Sequence, residues 1–437
     1  MRTLHRRNAI GLIAGGAAGM TLPGRSLAGA TVPSGSFLWG AATAGHQVEG
    51  NNYAADMWLL EQVTPTVFKE PSGDACDSLH RWREDVAIVK SLGLNCYRFS
   101  VEWPRIEPAK GQFSQAYLDH YSAMVDHCRD QGLAPVVTFN HFTTPRWFAA
   151  AGGWEQRDAA ALFARYCERV ARAMAGGISH ALTFNEPNLA LGGKWSVNPP
   201  TPAAMAAMSA CVAAAAKASG SDRFSLLNAG DPAPMIPGVT AAHVAAREAI
   251  RAVRGDLPIG MSLAIPDNVP AGDDSGIERK RREIYGPFFA VMDNDDFVGV
   301  QTYGRAWVGR DRDIKAPADA ARLPDGKEWY PDAIGNVVRY AHRATGKPIL
   351  VTENGIDAAD DAVRQRFIPA AVASVLTAAH DGVPVLGYIH WSLLDNFEWL
   401  SGYGPKFGLV AVDRTTFKRT VKPSARILGR IARERRV

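Results

Sequence analysis

The chain has 437 residues, of which 47% are hydrophobic and 21% charged, a composition that supports a large folded core. Four of its 48 basic residues lie in the first 30 positions, which contain no acid, so the remainder balances 44 basic against 44 acidic residues. The formal charge of +4 therefore belongs to the first 30 residues. This balance predicts neither a nucleic-acid partner nor an anionic-membrane partner.

The first 30 residues have the pattern of an export signal. Arg6 and Arg7 form a twin-arginine pair, and the apolar run that follows, AIGLIAGGAAGM, is too short to span a bilayer. A small-residue cleavage site ends at Ala30. We predict that residues 1–30 are a twin-arginine-type signal and that the mature protein is periplasmic, without stable membrane association. A disordered or membrane-tethered N-terminus is the alternative.

Short apolar runs alternate with amphipathic stretches along the rest of the chain, and their β-branched and aromatic residues are typical of buried strands. The predicted strands cover residues 36–43, 95–100, 134–140, 180–186, 258–264, 296–303, 348–354 and 385–393. The stretches between them repeat apolar residues at helical spacing, and two of them end on Gly93 and Gly132, the residue type expected just past a helix. Eight strands separated by helices predict a single-domain α/β fold, the (β/α)8 TIM barrel, over residues 31–437.

Residues 195–240 disturb this alternation because they are rich in Ala, Pro and Gly. The Ala-rich centre favours a helix, whereas the Pro clusters on either side disfavour one. We predict a loop insertion with an embedded helix over the barrel mouth after the fourth strand. A mobile surface insertion is the alternative.

The cysteines and histidines predict neither a disulfide framework nor a metal site. The five cysteines are Cys76, Cys96, Cys128, Cys167 and Cys211. They form no CxxC pair and their number is odd, so we predict buried free thiols, with a single disulfide as the alternative. The HxH and HExxH spacings of zinc enzymes do not occur, so the sequence predicts no metal and no other cofactor.

Catalytic side chains of such a barrel lie at the carboxyl ends of its strands, and here those positions are polar and aromatic. They are Gln47, Glu49, Arg98, Asn140, His141, Asn185, Glu186, Tyr303, Glu353, Asn354, Trp391, Glu398 and Trp399. Glu186 ends the fourth strand and Glu353 the seventh, so the barrel can bring both carboxylates to its mouth. Glycoside cleavage needs such a pair, one as the acid for the leaving oxygen and one at the anomeric carbon. Separate salt bridges to neighbouring arginines are the alternative.

Two stretches around these carboxylates, TFNEP and VTENG, resemble the acid/base and nucleophile signatures of glycoside hydrolase family 1, the β-glucosidase family. Further blocks similar to the family occur in the same order, namely FLWGAATAGHQVEG, LGLNCYRFSVEWPRIEP, VVTFNHFTTPRW, GGWEQRD and WSLLDNFEWLSGYGPKFGLVAVD. The resemblance covers most of residues 36–415. It implies a retaining β-glycosidase that acts on a small-molecule or oligosaccharide β-glycoside, with β-glucosides as the expected substrates.

The resemblance also implies a role for each matching residue. Glu186 would be the general acid/base and Glu353 the nucleophile. Asn185 would hold the sugar 2-hydroxyl, while Arg98 keeps Glu353 ionised and Tyr303 orients it. The other implied sugar contacts are Gln47, His141, Glu398 and Trp399, with Trp391 as the stacking floor. The alternatives are a core histidine at His141, core aromatics at Tyr303, Trp391 and Trp399, and a structural arginine at Arg98.

The same resemblance implies a division of ionisation states. Retaining chemistry places the two carboxyl groups about 5 Å apart. At that separation the charge of Glu353 raises the pKa of Glu186 and keeps it protonated as the acid. Attack by Glu353 forms a glycosyl ester, and Glu186 then acts as the base for water.

Four stretches depart from the family pattern. Gln301 and Thr302 stand where the family usually has Asn and Tyr, and Lys327 stands where a Trp often forms the leaving-group platform. The segment between the fifth and sixth strands is short for the family, and residues 195–240 are atypical of it. We assign all four to the outer pocket or its frame, so they bear on the group attached to the sugar. Glu398 stands where relatives acting on 6-phosphorylated sugars usually have Ser, which favours an unphosphorylated sugar.

Two other functions share these features. A catalytically silent sugar-binding barrel would be expected to lose one of the two carboxylates, and this chain has both. A transglycosylase would use the same intermediate with an alcohol in place of water. The sequence does not separate transglycosylation from hydrolysis, because the difference lies in water access at the outer subsite.

Overall fold

The computed structural model describes residues 37–323 and 325–437, so the predicted signal at 1–30 lies outside the described residues. The barrel strands are β1 Leu38–Ala42, β2 Cys96–Ser100, β3 Ala134–Asn140, β4 His180–Asn185, β5 Ile259–Ala264, β6 Phe297–Thr302, β7 Ile349–Asn354 and β8 Val385–Trp391. All pairs are parallel, and the strands close in the order β1-β8-β7-β6-β5-β4-β3-β2. Each strand lies within one of the predicted runs, so the predicted TIM barrel is confirmed.

A helix follows each strand around the outside of the barrel. These are α1 Ser78–Ser91, α2 Gln115–Asp130, α3 Ala159–Met174, α4 Pro232–Val253, α5 Ile277–Ile284, α6 Ala333–Thr345, α7 Asp361–His380 and α8 Pro423–Glu434. Ser114 and Asp360 cap α2 and α7 by accepting backbone N–H groups of the first turn. Gly93 and Gly132 follow α1 and α2 with φ angles of +82° and +71°, the left-handed conformation predicted for them.

Shorter elements occupy the connections. Short helices cover Gly45–Val48, Asp56–Gln62, Trp103–Ile106, Arg146–Ala150, Leu189–Gly192 and Gly286–Phe289, and single 3-10 turns cover Gly153–Glu155, Gly193–Trp195 and Trp399–Ser401. In one small sheet outside the barrel, Arg305–Val308 pairs with Asp267–Pro270 on one side and with Asp313–Ile314 on the other, and in a second sheet Val410–Val412 pairs with Arg419–Val421. Within residues 37–323 and 325–437, no helix has the length and apolar character needed to cross a membrane.

The atypical stretch after β4 contains a helix at Pro202–Ala218, which we call the rim helix. Thr201 caps it, and proline fills its first position, where the missing N–H has no helical partner. The irregular stretch is shorter than the predicted 195–240 because α4 already begins at Pro232, capped by Asp231. The prolines in the first turn of α4 start this helix rather than end it, since the first N–H groups are unpaired in any case.

Apolar side chains fill two layers. The inner layer lies inside the barrel and includes Leu38, Cys96, Val136, Leu182 and Leu350, contributed by five different strands. The larger outer layer lies between the strands and the helices. Side chains of neighbouring positions therefore alternate between the two layers along most of each strand.

The five cysteines are buried free thiols. Burial raises the pKa of the Cys76 and Cys128 thiols to about 12, so both stay protonated at neutral pH. These thiols act as small apolar side chains of the core.

The strict alternation fails at the carboxyl ends of β4 and β7. Leu182 belongs to the inner layer, Thr183 bonds His243 of α4 and Phe184 packs against outer-layer aromatics, yet Asn185 faces inward again. The pairing register between β4 and β5 shifts over this segment, and the register between β7 and β6 shifts just before Glu353. Such bulges turn a side chain to the other face of a strand.

Candidate active site

A cavity of about 370 Å³ opens at the carboxyl ends of the strands. Eight of the predicted site residues line it, namely Gln47, His141, Glu186, Tyr303, Glu353, Trp391, Glu398 and Trp399. The other two, Arg98 and Asn185, are buried and bonded to each other beneath it, with Arg98 also bonded to Glu353. The barrel thus brings all ten predicted residues together.

Glu353 is held from two sides. Arg98 donates from Nη1 to Oε1 of Glu353 at 2.6 Å, and the Tyr303 hydroxyl donates to Oε2 at 2.5 Å. Arg98 also donates to the carbonyl of Thr352, so its guanidinium is fixed in the strand wall. Two charge-assisted hydrogen bonds leave the Glu353 carboxylate with little freedom to rotate.

Asn185 has its amide orientation fixed by two donors. Its Oδ1 accepts from Arg98 Nη2 at 2.5 Å and from Gln301 Nε2 at 2.7 Å. Because an arginine only donates, the oxygen of Asn185 must face Arg98 and the amide nitrogen must face away. The Nδ2 atom is buried and has no hydrogen-bond partner among the described residues, so it is available to donate to a bound molecule.

Glu186 sits on a constrained turn after β4. Its φ angle is +46°, a left-handed conformation that costs roughly 1–3 kcal/mol for a residue other than glycine. Its N–H donates to the carbonyl of Ser262 at 2.8 Å. Asn188 then bonds both backbone groups of Ala264, at 2.7 and 3.0 Å, so it ties the turn to β5. Two other residues that line the cavity, Phe142 and Trp399, also have positive φ angles.

Burial and neighbouring charges separate the protonation states of the two carboxyl groups. Burial raises the pKa of Glu186 well above its usual range, and the nearby charge of Glu353 raises it further. Burial also raises the pKa of Glu353, but the Arg98 guanidinium and the Tyr303 hydroxyl oppose that effect. We therefore place the proton on Glu186 and the negative charge on Glu353 at neutral pH.

Three further polar side chains present unpaired atoms at the cavity. Gln47 is anchored by two hydrogen bonds from Nε2, to Asn396 and to the carbonyl of Phe397, while its Oε1 is buried without a partner in residues 37–323 and 325–437. His141 Nδ1 and Glu398 Oε1 are likewise buried and, within the part of the chain that the structure describes, unpaired. Burial lowers the pKa of His141 well below its usual value, so this imidazole is neutral. Buried polar atoms of this kind require a partner such as a ligand hydroxyl.

Aromatic rings stack along one wall. His141 lies parallel to Trp391 and Trp399, with ring centroids 5.7 and 6.3 Å apart. Trp399 also stacks on His46, with ring centroids 5.6 Å apart, and His46 bonds the buried Glu61 at 2.8 Å. The supporting pair of His46 and Glu61 was not predicted, because neither residue ends a strand and neither lines the cavity.

Other strand-end residues have structural roles. Glu49 pairs with Arg105 at 2.7 Å, and Asn354 donates to the carbonyl of Thr302 at 2.6 Å. Asn140 donates to the carbonyl of Thr143. None of these three lines the cavity among the described residues.

The departure at Gln301 was assigned to the wrong part of the site. We predicted that it belongs to the outer pocket or its frame, whereas it donates to Asn185 beside Glu353. Thr302 does belong to the frame, since its hydroxyl bonds the carbonyl of Ile265. Lys327 pairs with Asp357 at 2.7 Å and is not among the described residues that line the cavity.

The described part of the chain holds no group of three or more His, Cys, Asp or Glu residues placed to bind a metal ion. Its cavity instead combines a fixed anionic carboxylate, a protonated carboxyl group and several unpaired polar atoms at the mouth of a closed barrel. That combination defines a class of enzyme, the glycosidases that act by double displacement.

Comparisons with known proteins identify the family. The model of glycosyl hydrolase family 1 matches residues 30–284 and 291–437. Beta-glucosidase A of Thermotoga maritima is 32% identical over 423 residues, which cover 89% of this chain and 95% of that protein. The apo structure of a beta-glucosidase 1317 is similar with a TM-score of 0.87 and 46% identity, over 91% of this chain and 98% of the other. The Thermotoga maritima enzyme in complex with noeuromycin gives a TM-score of 0.79 and 27% identity, over 93% and 99%.

The chain therefore belongs to glycosyl hydrolase family 1. Members of this family act with retention of configuration, so the chain is a retaining β-glycosidase. The alternatives of a silent sugar-binding barrel and of a dedicated transglycosylase are not favoured.

Proposed function

We propose that this enzyme hydrolyses terminal nonreducing β-D-glucosides, with Glu353 as nucleophile and Glu186 as acid/base. The observation that carries the proposal is that two carboxyl groups in one cavity have different environments, which favour different protonation states. Arg98 and Tyr303 bond Glu353, whereas burial and a neighbouring negative charge favour the protonated form of Glu186. Named relatives support the choice of glucosides, since those compared above are β-glucosidases.

The reaction has two displacements. Glu353 attacks the anomeric carbon while Glu186 gives its proton to the leaving oxygen, so the bond to the aglycone breaks and a glycosyl ester forms. Glu186, now a carboxylate, takes a proton from water, and the water oxygen displaces Glu353. The sugar leaves as the β-anomer, and both side chains regain their starting protonation states.

The unpaired polar atoms give the sugar its orientation. The Nδ2 atom of Asn185 would donate to the 2-hydroxyl, a contact that strengthens in the transition state. Gln47, His141 and Glu398 would bind the remaining hydroxyls, and Trp391 would stack on the ring face.

The cavity favours an unphosphorylated sugar. Among the described residues that line it, none is Lys or Arg. Burial raises the pKa of Glu398 to about 8, and in neither protonation state does this side chain offer a positive charge to a phosphate. A 6-phosphate would lose its water without gaining a cation.

A panel of 4-nitrophenyl β-glycosides tests the assignment, with the first-formed anomer of the released sugar followed by NMR. We expect the β-glucoside to be hydrolysed and the β-anomer to appear first. Early release of the α-anomer would contradict retention, and absence of hydrolysis across the panel would contradict the enzymatic function itself.

We also propose that residues 1–30 export the folded enzyme to the periplasm. Support comes from the paired Arg6 and Arg7, the short apolar run and the small residues before Ala30. Conservative replacement of both arginines by lysine should retain the enzyme in the cytoplasm. Equal periplasmic activity in the double variant and the natural chain would contradict the proposal.

A further inference from the structure

The cavity has a second half that the sugar-binding set does not occupy. Apart from that set and the two carboxyl groups, the described lining residues are apolar except for Asn228. We call this half the outer wall, and its principal members are Met57, Leu60, Leu189, Met208, Leu226 and Leu400. Leu189 and Leu400 are 44% and 46% exposed, which leaves large apolar surface open at the mouth.

The outer wall has a hydrophobic core of its own. Leu60 from the helix Asp56–Gln62, Cys211 from the rim helix and Leu226 from the turn beyond it pack in one buried cluster. Cys211 also donates to the carbonyl of Leu60. The insertion after β4 is therefore fixed to the barrel mouth, and it holds Met208 at the cavity before any ligand arrives.

We propose that the leaving group of the natural substrate is an apolar alcohol, so that the enzyme acts on alkyl or aryl β-glucosides in preference to β-linked glucose oligomers. This inference rests on the proposed function and names the aglycone class of the same site. A second glucosyl unit would bring several hydroxyl groups to a wall whose polar side chain is Asn228 alone among the described residues. Those hydroxyls would lose hydrogen bonds to water without replacing them, whereas an alkyl chain or aryl ring would gain from leaving water.

A series of alkyl β-D-glucosides measures this preference on the full-length enzyme. Methyl, butyl and hexyl β-D-glucosides release alcohols of similar basicity, so differences in kcat/KM report contact with the outer wall rather than chemistry at the leaving oxygen. Full burial of one methylene corresponds to about 0.8 kcal/mol, roughly a fourfold increase. We expect kcat/KM to increase at least tenfold from methyl to hexyl glucoside and the hexyl compound to exceed cellobiose.

The outcomes separate this inference from the function on which it rests. A flat alkyl series, or a higher kcat/KM for cellobiose than for hexyl glucoside, would overturn the apolar-aglycone assignment while leaving a β-glucosidase. Absence of hydrolysis for every compound, including 4-nitrophenyl β-glucoside, would overturn the proposed function and this inference with it.

Two methionines on the rim helix give a matched pair of variants. Met208 is half-buried and lines the cavity, whereas Met205, one turn earlier, is 53% exposed and does not. Replacement by glutamine keeps length and helix propensity in both cases but adds an amide. We expect Met208→Gln to lower the ratio of hexyl to methyl kcat/KM about threefold or more, and Met205→Gln to leave it unchanged.

A variant at a second position, Leu189, tests whether the effect is general to the outer wall or confined to Met208. Leu189 lies at the mouth on a different segment, so Leu189→Gln should lower the same ratio independently. Circular dichroism and thermal unfolding confirm that each variant is folded. An unchanged ratio in both Met208→Gln and Leu189→Gln would contradict the inference.

Discussion

The two halves of the cavity differ in origin as well as in chemistry. The sugar-facing half consists mainly of side chains at strand ends, and hydrogen bonds join Arg98 to Glu353 and to Asn185, which also accepts from Gln301. The outer wall consists of short loop helices and the insertion after β4, and it has an apolar cluster in place of a polar network. Changes in the first half should therefore lower the hydrolysis of glucosides with any aglycone, whereas changes in the second should affect only the choice among aglycones.

The largest expected effect is that of Glu353→Ala. Loss of the nucleophile should lower kcat for every glucoside by about 10⁵–10⁶-fold, the scale observed when a covalent nucleophile is removed. Azide should restore turnover by occupying the vacated space, and NMR should identify an α-glucosyl azide. Full activity of this variant, or a β-configured azide product, would contradict the role of Glu353.

Glu186→Gln should separate substrates by their leaving groups. Removal of a general acid typically costs about 10²–10⁴-fold, so kcat/KM for butyl β-glucoside should fall by that factor. The value of kcat/KM for 4-nitrophenyl β-glucoside should fall much less, because its leaving oxygen needs little protonation. This substrate therefore serves as the internal control.

The pH profile gives a second test of Glu186. Because its pKa is raised and the protonated form is active, wild-type kcat/KM should fall as pH rises through that pKa. This basic limb should disappear in Glu186→Gln. A basic limb that persists unchanged would assign the proton to another group.

Asn185→Ala should have the next largest effect. Loss of one preorganised donor costs about 10²–10³-fold, which we expect in kcat/KM for 4-nitrophenyl β-glucoside. The matching 2-deoxyglucoside lacks the hydroxyl that Asn185 would bind, so the variant should process it nearly as well as the wild type does. Equal losses for both substrates would indicate a structural role instead.

Gln301→Leu should have the smallest effect in the sugar-facing half. It removes one of the two donors to Asn185 Oδ1 and leaves Arg98 in place. Loss of one hydrogen bond costs about 1 kcal/mol, so kcat should fall roughly fivefold with KM nearly unchanged. Thr302→Val is the matched control, because Thr302 bonds only the frame and should retain wild-type kinetics. A larger change in KM than in kcat would indicate a direct sugar contact.

The sequence predicted the barrel because its signals are local. Each strand appeared as a short apolar run, and glycines such as Gly93 marked helix ends by their backbone conformation. The start of α4 was misplaced because prolines act differently in the first turn than in the interior of a helix, and the sequence alone did not show which applied at Pro232.

Most of the site was predictable from positions at or just after strand ends, although Asn140 and Asn354 at such positions are structural. Contacts between residues far apart in the chain were not predictable. Strict alternation would place Phe184 rather than Asn185 inward after Leu182, and the register shift that reverses this has no sequence signal. Gln301 was assigned to the outer pocket because its partner, Asn185, is 116 residues away in the chain. The contact of Met208 with the cavity was not predicted for the same reason, since it depends on where the rim helix packs in the folded chain.

The five buried thiols have a consequence for handling the protein. With no disulfide and with thiol pKa values raised by burial, the folded enzyme should keep the same activity in oxidising and reducing media. Thiol-reactive dyes should reach these groups only when the barrel opens. The rate of labelling therefore reports unfolding of the barrel. Bound glucose analogues should slow the labelling, because they stabilise the folded state.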